Sequence, residues 1–386
     1  MIERTLKHEL LKQLIEYPIV TVLGPRQAGK TTLVKSTLPD YTYVNLEDPE
    51  MRRFAIEDPK AFLQRYERNV IFDEIQRVPE LLSYLQVIVD EIDEAGQFVL
   101  TGSHQLRLPE AITQSLAGRT SVLHLLPLSI EELGGAGVHF ENVADYLFKG
   151  ALPRIYAKNL RPHTAYANYY QTYVERDVRQ LIQLKDVSLF EKFMKLLAGR
   201  VGQLINYQSL ANDVGVDAKT IRHWVSILES SYVVFPLPPF FENFGKRAVK
   251  SPKYYFTDTG LLCYLLDINA ASQVSRDPLI GALFENLVIL EALKTRHNQG
   301  LKANLYFFRD TQGNEIDLFF ASGAAYTGIE IKSASTWNSS FKKTLLRFSE
   351  TTQQLAQACV IYTGSSMTFS DGIQAINYRE TASLLR

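Results

Sequence analysis

The chain is short of cysteine, of net charge and of long apolar runs, and each shortage removes a class of protein. Only two cysteines, Cys263 and Cys359, occur in 386 residues, far apart in sequence. They cannot form a disulfide framework or a cysteine-based zinc knuckle, and a reducing cytoplasm is the simplest setting. Lys and Arg total 41 against 42 Asp and Glu, a net charge of −1. No bulk field therefore draws the chain to nucleic acid or anionic membrane, and any such binding must come from a local patch. The longest apolar run, YVVFPLPPFF, is too short and too rich in proline to span a bilayer, so no membrane partner is expected. The opening MIERTLKHELLKQL reads as an amphipathic helix without the apolar core of a signal peptide. There is no internal repeat and no low-complexity tract. What is present is the balance of a globular protein, 46% hydrophobic and 22% charged, in a length that suggests two to four domains.

Residues 24–31 read GPRQAGKT, between the β-branched run PIVTVL and the helix-like TTLVKSTL. Strand, glycine loop and helix in that order are the context of the phosphate-binding pattern GxxxxGK[ST]. Gly24 and Gly29 permit close backbone approach, while Pro25, Arg26, Gln27 and Ala28 complete the loop. Successive N–H groups and the helix start then face the phosphates, with Thr32 in the first turn. Lys30 reaches the terminal phosphates of ATP, and Thr31 offers a hydroxyl to Mg2+. A second apolar strand, NVIFDEIQ, ends in Asp73 and Glu74. Asp73 would hold Mg2+ and Glu74 would polarise the attacking water.

A third strand, QFVLTG, is followed by Ser103. In three-layer ATPases a strand between the two motif strands carries a polar residue that senses the γ-phosphate. Thr101 and Ser103 are the candidates, and a polar strand end accounts for them equally well. Arg119 opens a further apolar strand, TSVLHLL. It is a candidate arginine finger, acting on its own site or on a neighbour's in a homo-oligomer. Arg26 is its rival for phosphate contact, and a surface salt bridge is the alternative for each.

The segments GPRQAGKTTL, YVNLEDPEMRRFA, FDEIQRVPEL, LTGSHQL and SLAGRTSVLHLLPLSIEEL together resemble the bacterial and archaeal AAA-type ATPases that carry a C-terminal domain of unknown function. GALPRIY, YYQTYVERDVRQL, YYFTDTGLLCYL and GNEIDLFF…GIEIKSA are similar to that C-terminal domain, so the resemblance spans nearly the whole chain. It implies ATP hydrolysis, with the motif lysine, threonine and paired acids at Lys30, Thr31, Asp73 and Glu74. Many AAA ATPases have Asn at the sensor position, where this chain has Thr101 and Ser103.

From 129 to about 190 the apolar and aromatic spacing is helical, which suits a packed lid. In 207–235, the helix YQSLANDV is followed by Gly215, then by Asp217 as the cap of a second helix, AKTIRHWVSILES. Leu210, Ala211, Val214, Val216, Ile221, Val225 and Leu228 form its seam. This is helix-turn-helix spacing, with YVVFPL as the first strand of a wing. Lys219, Arg222 and His223 open the recognition helix, and Lys246, Arg247, Lys250 and Lys253 lie in or just past the wing. Six Lys and Arg against four Asp and Glu across 207–256 make the segment only mildly basic. DNA contact and a structural or protein-binding role remain alternatives.

The last third runs helix (GALFENLVILEALKTRH, bearing Glu285), three strands, helix and strand. That order resembles restriction-endonuclease-like cores, whose active site has an acid on the second strand and Glu-x-Lys on the third. The matching residues are Asp317, Glu330 and Lys332, with Ile316 where the pattern usually has proline. Residues two apart on a strand share a face, so Glu330 and Lys332 project together. An antiparallel neighbour brings Asp317 beside Glu330 to bind Mg2+, and Glu285 completes the shell. Lys332 would orient or deprotonate the attacking water. A structural ion network is the alternative.

The expected architecture is α/β and multidomain. A P-loop NTPase three-layer sandwich (1–130) leads into a helical lid (131–190). A winged helix-turn-helix (191–256) and a restriction-endonuclease-like α/β domain (257–386) follow. The expected function is Mg-dependent ATP hydrolysis acting on DNA. The alternative is a nucleotide-gated signalling or scaffold ATPase whose last domains bind protein.

Overall fold

In a computed structural model the chain is described over residues 1–92, 94–103, 115–178, 187–240, 251–309, 313–322, 325–352 and 355–386. Five short strands form the first sheet: β1 (Ile19–Leu23), β2 (Thr42–Asn45), β3 (Val70–Asp73), β4 (Phe98–Gly102) and β5 (Thr120–His124). Their order is β2-β3-β4-β1-β5 and every pairing is parallel. The three inner strands are buried at every position, as a sheet covered on both faces requires. Leu6, Leu10 and Leu14 of the first helix join Leu33 and Val34 on one face, against Val20, Val22, Ile71 and Val99. Phe62, Leu81, Leu82 and Leu85 pack the other face, against Phe72, Phe98 and Leu100.

Parallel strands all end at one edge, so the loops after β1, β3 and β4 meet there. This is how residues 24–31, 73–76 and 101–103 become neighbours although they are scattered over 80 positions.

Short helices follow β5, and Tyr170–Val178 is a π-helix continuing from the Pro162–Tyr169 helix. The wider winding departs from the regular α-helical expectation there. Beyond it the helices Val187–Ala198, Tyr207–Val214 and Ala218–Ser230 pack together and lead into an antiparallel hairpin, β6 (Val234–Leu237) and β7 (Lys253–Phe256). Gly215 (φ +97°) makes the turn between the last two helices. Asp217 caps the second by accepting from Thr220 N at 2.7 Å. The last sheet contains β8 (Tyr306–Arg309), β9 (Glu315–Ser322), β10 (Ala325–Lys332), β11 (Leu355–Tyr362), β12 (Met367–Thr368) and β13 (Gln374–Asn377), in the order β12-β13-β11-β10-β9-β8. Strands β10 and β11 are parallel, and β9 runs antiparallel to β10. Among the described residues no helix is long and apolar enough to cross a membrane.

The helix Ile280–Asn298 joins the two sheets. Lys294 Nζ donates to Leu128 O and to Glu291 Oε1, each at 2.7 Å, and Glu291 Oε2 accepts from Ile130 N at 2.8 Å. The His297 ring packs at a tilt against His124 at the end of β5, with centroids 5.0 Å apart, and His124 Nδ1 is 2.8 Å from the Tyr232 hydroxyl. Burial lowers the His124 pKa to about 4. Burial, with the neighbouring His124, lowers that of His297 to about 3.

Both histidines are therefore neutral in the fold at pH 6.5 and ionise more readily once unfolded. Their contribution to stability is complete above about pH 6.5 and is lost as pH falls toward 4, by about 1 kcal/mol per histidine per pH unit. Denaturant midpoints at pH 7 and pH 5 test this. His297→Phe should lose less stability than the native chain over that interval, and parallel losses would contradict the assignment.

Candidate functional site

Strand β1 delivers the loop Gly24–Gly29 to the common sheet edge, and the helix Lys30–Thr37 begins directly after it. Gly24 has no room for a side chain, since a Cβ there would lie 2.0 Å from Leu125 O. Gln27 (φ +62°) and Gly29 (φ +95°) turn the loop through left-handed conformations. Pro25 and Ala28 are buried, Arg26 and Gly29 half-buried, and Gln27 and Thr32 exposed. Arg26 lies 3.7 Å from Glu47 and over the ring of Tyr173 in the π-helix.

Lys30 is 5% exposed, and its Nζ donates to two loop carbonyls, Gly24 O at 2.9 Å and Pro25 O at 3.0 Å. Burial lowers its pKa, opposed by Glu74 and Asp73. A buried ammonium whose hydrogen bonds among the described residues go to the carbonyls of its own loop is poised to bind an anion there. Thr31 Oγ1 donates to both Asp73 oxygens, at 3.1 and 2.9 Å, so the two groups that would share a divalent ion already touch. The residues present therefore fit a nucleotide phosphate group with its cation.

Two further strands hold the acids. Thr101 and the Tyr43 hydroxyl (2.6 Å) both donate to Asp73. Glu74 leaves β3 in the left-handed conformation (φ +60°), and its N–H donates to Thr101 Oγ1 at 3.1 Å. Its Oε2 accepts from Ser103 Oγ at 2.9 Å and from Gln76 Nε2. Thr101 is thus the partner of Asp73, while Ser103 is the partner of Glu74. Tyr43 and Gln76 were not singled out in the sequence. Gln76 lies inside the NVIFDEIQ segment, and its position two residues after Glu74 was the available signal. Nothing in the spacing of Tyr43 links it to Asp73, because the contact depends on which strand neighbours β3.

Arg119 is corrected as a finger for its own chain's site. It precedes β5, whose first residue pairs level with Ile19 at the start of β1, so it lies at the sheet edge opposite Gly24. Its guanidinium is paired with Asp90 on the Leu81–Ile92 helix, at 2.8 Å through Nη2.

Lys219, Arg222 and His223 are exposed on the Ala218–Ser230 helix, with Arg222 over the Tyr207 ring. Lys246, Arg247 and Lys250 lie outside the described residues. Lys253, placed by the sequence in or just past the wing, opens β7. It is 3% exposed on β7 and donates to Glu285 at 3.1 Å and Glu315 at 2.6 Å.

The antiparallel β9–β10 pairing does bring Asp317, Glu330 and Lys332 together. Lys332 Nζ lies 2.6 Å from Glu330 Oε2 and 3.4 Å from Asp317 Oδ2, and the same Asp317 oxygen accepts from Ile331 N at 2.7 Å. Burial and then the Asp317 charge raise the Glu330 pKa to about 8. Burial opposes the charge of Lys332, yet Asp317 and Glu330 together raise its pKa. Glu330 is 4% exposed, and its Oε1 is buried with no hydrogen-bond partner among the described residues. Glu285 is corrected as a third metal ligand. Its Oε1 accepts from Lys253 and, at 2.5 Å, from the Tyr255 hydroxyl. Among the described residues no three or more His, Cys, Asp or Glu side chains are arranged to hold a metal.

Comparison with known proteins fits this geometry. The AAA domain family model matches residues 16–134, a domain of unknown function (DUF8612) matches 140–272, and another (DUF4143) matches 280–381. The uncharacterized protein Rv2008c of Mycobacterium tuberculosis is 33% identical over 377 residues, covering 95% of this chain and 81% of that protein. This chain belongs to that family of AAA-domain ATPases. An uncharacterized Haemophilus influenzae protein is 23% identical over 330 residues, with 75% of the present ATPase and 78% of the relative covered. Among solved structures, a Walker-type ATPase of Pyrococcus abyssi superposes with a TM-score of 0.46 at 14% identity, covering 69% of this ATPase and 96% of that chain.

Proposed function

We propose that this ATPase binds ATP with Mg2+ at Gly24–Thr31 and Asp73, hydrolyses it with Glu74 as the base, and couples turnover to work on DNA. The ATP part is supported above all by the buried Lys30 beside the Thr31–Asp73 contact. Mg2+ held by Thr31 and Asp73 would supply charge neutralisation on the phosphate oxygens. Lys30 then leaves the loop carbonyls for the terminal phosphates. Glu74, restrained by Ser103 and Gln76, takes the proton of the attacking water.

The DNA part rests chiefly on buried Glu330, carrying an oxygen without a partner among the described residues, beside Asp317 and Lys332 on paired strands. Leaving a carboxyl oxygen buried and unpaired is costly for a purely structural network. A divalent cation on Asp317 and Glu330 would supply Lewis acidity toward a phosphodiester. Lys332, one-third exposed, is placed to orient the attacking water. The order of helices and strands in 280–362 supports the nuclease-like reading. The Tyr207–Ser230 helix pair with hairpin β6–β7 supports a winged helix that presents Lys219, Arg222 and His223.

Plasmid nicking with Mg2+ or Mn2+, with and without ATP, tests the cleavage. The native chain should nick, and Asp317→Ala should lower the rate by about a hundredfold or more. No nicking by the native chain, or equal nicking by the variant, would reduce the domain to a binding fold and favour a nucleotide-gated scaffold that contacts protein.

A further inference from the structure

Arg4 lies outside every sequence motif, yet it is 7% exposed and uses all three guanidinium nitrogens. Nη1 donates to Ala28 O at 2.6 Å, Nη2 to Leu126 O at 2.6 Å, and Nε to Glu132 Oε1 at 3.0 Å. Ala28 is inside the phosphate loop, and Nη1 lies 3.5 Å from where a Cβ on Gly29 would stand. Leu126 is one residue beyond the carbonyl that abuts Gly24. Glu132, 5% exposed, is itself fixed, accepting from Thr5 N at 2.8 Å and Ser129 N at 2.9 Å in the capping box of the Ile130–Gly135 helix. Three charge-assisted bonds are what allows so buried a cation, and a planar fork is what reaches three acceptors at once.

In a trans peptide the carbonyl and the following N–H point opposite ways. Holding Ala28 O toward Arg4 therefore turns the Gly29 N–H away from it. We propose that Arg4 is a positioning residue for nucleotide: it fixes the Ala28–Gly29 peptide so that the Gly29 amide faces the phosphates before they arrive. The inference rests on reading Gly24–Thr31 as the ATP site and adds how that site is held ready. The Arg4–Glu132 pair also anchors the loop to the start of the segment that leads into the C-terminal half.

The consequence is a split between affinity and turnover. Without the clamp the loop spends only part of its time competent, and the apparent Kd rises by the inverse of that fraction. Turnover of bound ATP is unaffected. Arg4→Lys keeps a cation beside Glu132, but one ammonium cannot replace the fork. Calorimetry and steady-state kinetics on Arg4→Lys should give a Kd for MgATP about tenfold higher or more, with kcat within about threefold. The unfolding midpoint should stay within a few degrees. Millimolar guanidinium should restore part of the affinity of Arg4→Ala, which a loss of folding would not permit.

Native binding with an unchanged Kd in the lysine variant would overturn the proposal. So would a fall in kcat at constant Kd. A native chain that binds no ATP would instead overturn the site reading itself, and the proposal with it.

Discussion

Lys30→Ala will lose ATP, with a Kd raised about a hundredfold or more, while the chain stays folded. The ammonium is the only side-chain cation buried in the loop, and its Nζ donates to two loop carbonyls. Each charge-assisted bond it would make to phosphate contributes about 1.5–3 kcal/mol, so two of them account for the expected loss. Stability should respond differently. Burial works against the lysine's charge, as its lowered pKa records, so its removal relieves a desolvation cost. An unfolding midpoint within a few degrees of native, with ATP binding gone, separates a functional loss from a structural one. A variant that binds ATP as the native chain does would remove Lys30 from the site.

Glu74→Gln will bind MgATP normally and turn it over about 10²–10⁴ times more slowly. Glutamine keeps the shape and still presents an oxygen to Ser103 and Gln76, so the network around it survives. It cannot accept the proton of the attacking water. The left-handed backbone at Glu74 matters here. It separates two adjacent acids, leaving Asp73 with Thr31, Tyr43 and Thr101 while Glu74 is carried to Ser103 and Gln76. Single-turnover kinetics distinguishes the outcomes: bound but uncleaved ATP supports the role of base, and unchanged turnover removes it. The trapped variant is also the form in which any effect of bound ATP on the proposed DNA cleavage is best measured.

The nucleotide loop was legible because its chemistry is local. Two glycines, a lysine and a threonine at fixed spacing act within one turn of chain, and apolar strands on either side set the context. The pairing of Asp317 with Glu330 and Lys332 was legible for a related reason, since strand periodicity and one antiparallel neighbour suffice. What could not be read was what reaches across the fold. Tyr43 meets Asp73 only because β2 lies beside β3, and Arg4 meets Ala28 from a segment before the first strand.

Glu285 was read as a metal ligand, and Lys253 only as part of the basic stretch in or just past the wing. Burial makes them partners of each other. The π-helix at Tyr170–Val178 has no glycine or proline to announce it. Arg119 as a finger for its own chain's site is the instructive case. It precedes its strand, whereas the phosphate loop follows one, and in a parallel sheet those positions lie at opposite edges. That much was available from the order of motif and strand alone.

The most direct test is titration calorimetry of the native chain with MgATP. A single site at Gly24–Thr31 gives a saturable heat with one nucleotide per chain. No heat from ATP, ADP or GTP in the presence of Mg2+ would contradict it.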